Sequence, residues 1–178
     1  MSIRRLSAKD TSEYRALWVD ALALTPGAFL LSSQEAAGIP VETLAGRLEN
    51  GGNSGIFDQG CLAGALAIRR LSPARLQHIA DIGPLFISEG RQERGLATRL
   101  LASVLDTAAE DGILQVELCV NETNRAALAL YRKSGFSVLG RRPRSILMDG
   151  TPRNDLLMIR ALDGSAGFED QILGERDG

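Results

Sequence analysis

The residues with the clearest chemical capacity lie in one stretch, Leu85-Phe86-Ile87-Ser88-Glu89-Gly90-Arg91-Gln92-Glu93-Arg94-Gly95-Leu96-Ala97-Thr98. The apolar run at 85–87 ends a strand, Gly90 and Gly95 punctuate a turn, and Ala97, Leu100, Leu101, Val104, Leu105 and Ala108 recur on one helical face. A helix laid on a sheet by that stripe exposes its first N–H groups at the strand's end, where partial positive charge favours an anion. Gly95 lets a ligand approach the backbone and the small Ala97 keeps the first turn open, so the chemistry on offer is phosphate binding by amides. Gly90 and Gly95 fit GxxxxG, but Leu96 and Ala97 stand where a P-loop needs Lys and Ser or Thr. GxGxxG is absent, which weakens a dinucleotide reading. A purely structural helix start is the alternative.

Other chemistry is narrowed by counting. Cys61 and Cys119 form no CxxC, and with the single His78 they cannot supply a four-ligand zinc site, so no metal is expected. The 20 basic and 22 acidic groups leave a net charge of −2, too little positive field to hold nucleic acid nonspecifically. Eighteen of the basic residues are Arg, Lys9 and Lys133 being the exceptions, which fits either anion recognition or codon bias. The first ten residues contain no apolar leader and the longest apolar runs fall short of a ~20-residue span, so a cytoplasmic protein without membrane contact is expected.

The elements that would position the turn follow from periodicity and breakers. With 178 residues, 44% hydrophobic and 24% charged, the chain suits one packed domain, placed at 1–162, followed by an acidic tail at 163–178. A strand at 3–6 precedes a helix capped by Asp10 or Thr11 with Tyr14, Leu17, Trp18, Ala21 and Leu22 on one face. Residues 28–39 read as a loop or short turn, and Pro40 opens a helix to 48. Strands at 54–58 and 61–70 flank a Gln59-Gly60 hairpin turn, and a third strand covers 78–87. A helix at 95–110, a strand at 113–120, a helix at 124–134 and strands at 137–140 and 155–162 complete an α/β sheet covered by helices. The tail carries net −4 and reads as mobile, with Phe168, Ile172 and Leu173 able to dock as a helix on this subunit or a partner.

Two patterns resemble the GCN5-related N-acetyltransferases (GNAT). Gln92-Glu93-Arg94-Gly95-Leu96-Ala97 is similar to that family's Q/R-x-x-G-x-G/A signature, with Ile87 at its preceding strand Val. Asn124-Arg125-Ala126-Ala127-Leu128-Ala129-Leu130-Tyr131-Arg132-Lys133-Ser134-Gly135-Phe136 is similar to N-x-x-A-x-x-L-Y-x-x-x-G-F. The resemblance covers about 61–162 and implies a mixed, mostly antiparallel sheet with helices on both faces, in which the central strand ending at Ile87 and the one starting at Ile113 splay apart to admit acetyl-CoA. It implies contacts from the backbone of Leu85, Phe86 and Ile87 to the pantetheine and from the turn at 92–98, Thr98 included, to the pyrophosphate. Arg91, Arg94 and Arg99 would add attraction or remain solvated surface charges. Asn124 either starts a helix or hydrogen-bonds the cofactor, and Tyr131, by spacing alone a core aromatic, takes the place of the family's tyrosine beside the thioester sulfur.

The implied reaction has an acid–base problem. A thiol near pKa 8.5 is a fair leaving group, so Tyr131 would donate a hydrogen bond more than a full proton. A lysine-like ammonium near 10.4 must lose its proton, and Asp81 is the first choice of base, with His78 and Glu117 next. A backbone N–H near Phe86 or Ile87 could serve the carbonyl oxygen. Phe29, Ser32 and His78 are candidates for the acceptor side, and Pro26-Gly27-Ala28-Phe29 with Ser32-Ser33-Gln34-Glu35 resembles a family subgroup whose acceptors are mostly unassigned. The expectation is direct attack by a small-molecule or peptide amine in a ternary complex, since neither Cys has an evident base. A noncatalytic acyl-CoA sensor is the rival, a nucleic-acid binder using Arg141, Arg142 and Arg144 a third reading, and a homodimer is left open.

Overall fold

The computed structural model describes residues 1–165. In chain order its elements are β1 (Ser2–Arg5), α1 (Thr11–Leu24), α2 (Ser33–Gly38), α3 (Val41–Asn50), β2 (Gly52–Asp58), β3 (Cys61–Arg70), β4 (Ile79–Ile87), α4 (Leu96–Glu110), β5 (Gln115–Asn121), α5 (Arg125–Lys133), β6 (Ser137–Met148) and β7 (Thr151–Ala161). The strands hydrogen-bond in the order β1-β2-β3-β4-β5-β7-β6, giving the expected mixed and mostly antiparallel sheet. β4 and β5 pair in parallel, Ile79, Ala80 and Asp81 against Gln115, Val116 and Glu117. By contact density the chain divides into two compact units, the first Met1–Arg69 with Ile82–Ala108, the second Arg70–Asp81 with the described residues from Ala109 onward.

In the first unit, Tyr14, Leu17, Trp18, Ala21 and Leu22 all face inward from α1, as their spacing requires. Asp10 does not cap that helix. Its carboxylate instead accepts from Ser7 N at 2.9 Å and from Arg4 at 2.7 and 2.8 Å, closing the preceding 3₁₀ turn. The segment expected as a loop or short turn contains the six-residue α2, started by a reciprocal cap in which Ser32 Oγ accepts from Glu35 N and Glu35 Oε2 accepts from Ser32 N. The S-x-x-E spacing carried that signal. Gln59 (φ 53) and Gly60 (φ 83) form the two-residue turn between β2 and β3, whose left-handed pair matches the strand twist. Ile87 lies beside Gly64 of β3, where a Cβ would collide with its side chain and sit 2.9 Å from the Phe86 carbonyl oxygen. Glycine therefore lets β3 run close to the end of β4.

In the second unit, Val116, Leu118 and Val120 are buried on one side of β5 while Gln115, Glu117 and Cys119 alternate to the other. The closing strands are much longer than expected, and Asp149 (φ 48) with Gly150 (φ 75) forms their turn. Their outer halves are mostly exposed and start with a polar run from Arg141 to Ser145, so apolar alternation fades after Gly140, although Asp-Gly is a hairpin signal. Residues 166–178, with Phe168, Ile172 and Leu173, lie outside the described residues. No helix among the described residues is long and apolar enough to cross a membrane.

Candidate active site

The anion turn lies wholly in the first unit. β4 ends with Leu85 and Ile87 half-buried and Phe86 buried, its ring 5.7 Å from Tyr14 and 6.4 Å from Phe29. Ser88 N then donates to Ala63 O at 2.9 Å, anchoring the turn's start to β3. Gln92, Glu93, Arg94 and Gly95 are exposed, Leu96 is buried, and Ala97 and Thr98 are half-buried. Arg99 N donates to Gly95 O at 3.1 Å, which makes Gly95 (φ 72) the residue before the first helical turn. It has no side chain with which to cap the amides of Leu96, Ala97 and Thr98, which lack partners within α4.

The turn's own side chains are arranged in ways sequence did not reveal. Glu93 is left-handed (φ 61), a conformation unfavourable for a residue with a Cβ. Arg94 Nη1 donates to Asp58 Oδ2 at 3.1 Å and Arg91 Nη1 to Asp58 O at 3.4 Å, whereas Arg99 turns to the Met1 sulfur at 3.0 Å. Among the described residues, Ser88 Oγ is the buried side-chain polar atom without a hydrogen-bond partner, so the protein's own bonding is incomplete at the base of this turn.

Two acceptor candidates in the same unit have structural duties. Phe29 packs edge-on against Phe86, beside the core. The exposed Ser32 hydroxyl is engaged with Glu35 in the cap of α2.

The second unit holds the acid–base candidates. Tyr131 is buried on α5, its ring 5.6 Å from Phe136, and burial pushes its phenol up to about 12. The helix is closed at both ends. Asn124 Oδ1 accepts from Ala127 N at 3.1 Å, so it caps the helix while its amide nitrogen stays available as a donor. At the other end Phe136 N donates to Tyr131 O at 3.0 Å across Gly135 (φ 82), and Arg160 Nη1 donates to Ser134 O at 2.6 Å. Asp81 is half-buried, holds a polar partner of its own and faces Glu117 in the parallel ladder. Glu117 accepts from Gln115 Nε2 at 2.8 Å, and His78 is exposed just ahead of β4, its carbonyl taken by Leu114 N and Gln115 N.

Cys119, two residues along from Glu117, is exposed, and its thiol is pushed up by partial burial and then by the Asp155 carboxylate. A raised thiol supplies little thiolate for nucleophilic attack. Of the three hairpin arginines, Arg141 is bound to Glu122 at 2.6 and 2.9 Å, and that pair with Asn154 lowers the Glu122 carboxyl to about 2. Arg142 and Arg144 remain exposed.

The sequence matches the Acetyltransferase (GNAT) family over residues 16–136, and the chain belongs to that family. It is 35% identical over 82 residues to an uncharacterized N-acetyltransferase of Mycobacterium tuberculosis, covering 46% of this chain and 51% of that protein. The chain thus spans about half of that curated relative. Among solved structures, a ribosomal-protein-alanine N-acetyltransferase from Brucella melitensis shares the fold with a TM-score of 0.79 at 18% identity, over 90% of this chain and 99% of that one. So does the Salmonella typhimurium protein yncA, solved with its cofactor acetyl-CoA, with a TM-score of 0.76 at 18% identity over 95% and 98%.

Proposed function

We propose that the protein is an acetyl-CoA-dependent N-acetyltransferase acting on a primary amine of a small molecule or peptide, by direct attack in a ternary complex. The observation that carries this reading is the start of α4, where Gly95 leaves the amides of Leu96, Ala97 and Thr98 without a side-chain cap. The orphaned Ser88 hydroxyl at the base of the same turn fits a ligand that completes the local polar contacts. When bound, acetyl-CoA supplies an acetyl thioester reactive toward amines. The α4 amides hold its diphosphate, with Gln92, Glu93 and Arg94 shaping the turn and the backbone of Leu85, Phe86 and Ile87 aligning the pantetheine. A backbone N–H at Phe86 or Ile87 polarises the carbonyl, and the Asn124 amide adds a donor.

Tyr131 is assigned to the leaving sulfur as a hydrogen-bond donor. With its phenol near 12 against a thiol near 8.5, complete proton transfer is uphill by roughly 5 kcal/mol, whereas a shared proton stabilises the departing sulfur at no such cost. The amine's proton is the harder one: release from pKa ~10.4 at pH 7 costs about 4–5 kcal/mol. Asp81 is assigned to receive it, with Glu117 and His78 as the other groups able to do so, and Phe29 and Ser32 are assigned to the acceptor side. The raised Cys119 thiol supports direct attack over a cysteine-linked route.

The test pairs calorimetric titration of acetyl-CoA with an amine panel read by CoA release. Saturable acetyl-CoA binding with release on at least one amine class is expected. Failure to bind acetyl-CoA would sink the reading, and binding without release across the panel would favour the noncatalytic acyl-CoA sensor.

A further inference from the structure

We propose that Asp58 is a positioning residue for the acetyl-CoA diphosphate, acting through Arg94 and Arg91; this rests on the acetyl-CoA reading above. Asp58 is the last residue of β2, paired with Cys61 across the Gln59-Gly60 turn, so its backbone is fixed by a hairpin with little freedom. Its side chain is only 14% exposed, although it sits at the tip of a hairpin. Two arginines of the anion turn converge on it. Arg94 donates through Nη1 to the carboxylate at 3.1 Å, and Arg91 donates through Nη1 to the carbonyl at 3.4 Å.

The Arg94 side chain is 53% exposed, and an ion pair that open to water contributes little to folding stability. Orientation is the larger effect. A long arginine on an exposed turn samples many rotamers, and Glu89 and Glu93, exposed on that same turn, offer competing carboxylates. Engaging one terminal nitrogen on Asp58 restricts Arg94 while leaving its remaining N–H donors free for an anion beside Gly95. Asp58 thereby sets where the guanidinium stands relative to the amides of Leu96, Ala97 and Thr98.

The prediction is specific to the phosphate-bearing part of the ligand. Calorimetric titrations of the full chain compare acetyl-CoA with acetyl-pantetheine, which has the thioester and lacks the diphosphate. Asp58→Asn should weaken acetyl-CoA binding about five- to tenfold and leave acetyl-pantetheine unchanged. Asp58→Glu should recover part of the loss, and D58N combined with R94A should bind acetyl-CoA no worse than R94A alone. Equal weakening of both ligands, additive losses in the double variant, or tighter acetyl-CoA binding by D58N overturns the assignment. Should the wild-type chain bind acetyl-CoA no better than acetyl-pantetheine, the anion-turn reading fails first and takes this one with it. A wild-type preference that D58N and D58E both leave intact removes Asp58 alone.

Discussion

α4 of the first unit and α5 of the second are finished in opposite ways. α4 begins after a left-handed glycine that has nothing to cap with, in a turn that also contains left-handed Gly90 and Glu93 and arginines tied to a distant hairpin. α5 begins under the Asn124 side chain and ends under Gly135, the Phe136 amide and Arg160, with its tyrosine buried between. An open end has unspent hydrogen-bonding capacity, which suits a ligand that is bound and released. A closed helix fixes one side chain in one place, which suits a group that must meet a reacting atom the same way each time. On the function proposed above, cofactor capture and chemistry would draw on different materials, backbone amides in one and a pre-set side chain in the other.

Closing the open end should produce the largest effect. Gly95→Asp supplies a carboxylate that accepts from the first-turn amides and repels a diphosphate; no atom lies within 4 Å of the added Cβ, but the left-handed backbone (φ 72) strains any side chain placed there. Acetyl-CoA affinity should fall about 100-fold, the equivalent of losing roughly one to two charge-assisted hydrogen bonds. Gly95→Asn also caps and tolerates the left-handed backbone but carries no charge, so its loss should be nearer tenfold. Calorimetry on both variants, with circular dichroism confirming the fold, checks this; an undiminished affinity in G95D would show that α4 is a structural helix start and remove the contrast with α5.

The buried end should fail differently. Tyr131→Phe keeps the ring against Phe136 and deletes only the hydroxyl, so turnover should fall about 10- to 100-fold while acetyl-CoA affinity stays within twofold. The pH profile sharpens the point. Burial raises the phenol to about 12, so the folded chain favours the protonated form and loses it only as pH rises through that value. Between pH 7 and 10 the rate should climb with amine deprotonation and show no downturn from Tyr131. A downturn near 10 that disappears in Y131F would mean an ordinary exposed phenol, and the picture of a sealed, pre-set tyrosine would not survive it.

How much of this was legible in the sequence depends on the range of the interactions. The stripe on α4 and the Tyr131-Gly135-Phe136 ending of α5 are local patterns that the core and the cap impose at fixed spacing, and the structure has both. The cap of α2 was equally local, Ser32 to Glu35, but its six-residue helix is too short to show an apolar period. The outer halves of β6 and β7 escaped because Arg141, Arg142, Arg144 and Arg153 face water and leave no alternation to see. Asp58 and Arg94 are 36 residues apart, and nothing short of the folded chain brings a hairpin tip to the anion turn. Asp10 misled for a related reason: an acid before a helix normally caps it, but Arg4 and Ser7 claim this one first.

The smallest expected effect concerns Glu93, the left-handed residue next to Arg94. A left-handed residue with a Cβ costs about 1–2 kcal/mol, while glycine in its place gives back about 0.5–1 kcal/mol through the more flexible unfolded chain. Glu93→Gly should therefore stabilise the protein by roughly 0.5–1 kcal/mol, a rise in melting temperature of about 1–4 °C for a chain this long. It also removes a carboxylate from a turn assigned to an anion, so acetyl-CoA should bind about two- to fivefold more tightly at low salt, with the gain shrinking as salt screens it. Both gains together would show that the open end is held below its best affinity and stability by one residue, a restraint with no counterpart on α5. A lower melting temperature with unchanged affinity would instead mean that the Glu93 side chain supports the turn, and the open end would be as fully determined by its own contacts as the closed one.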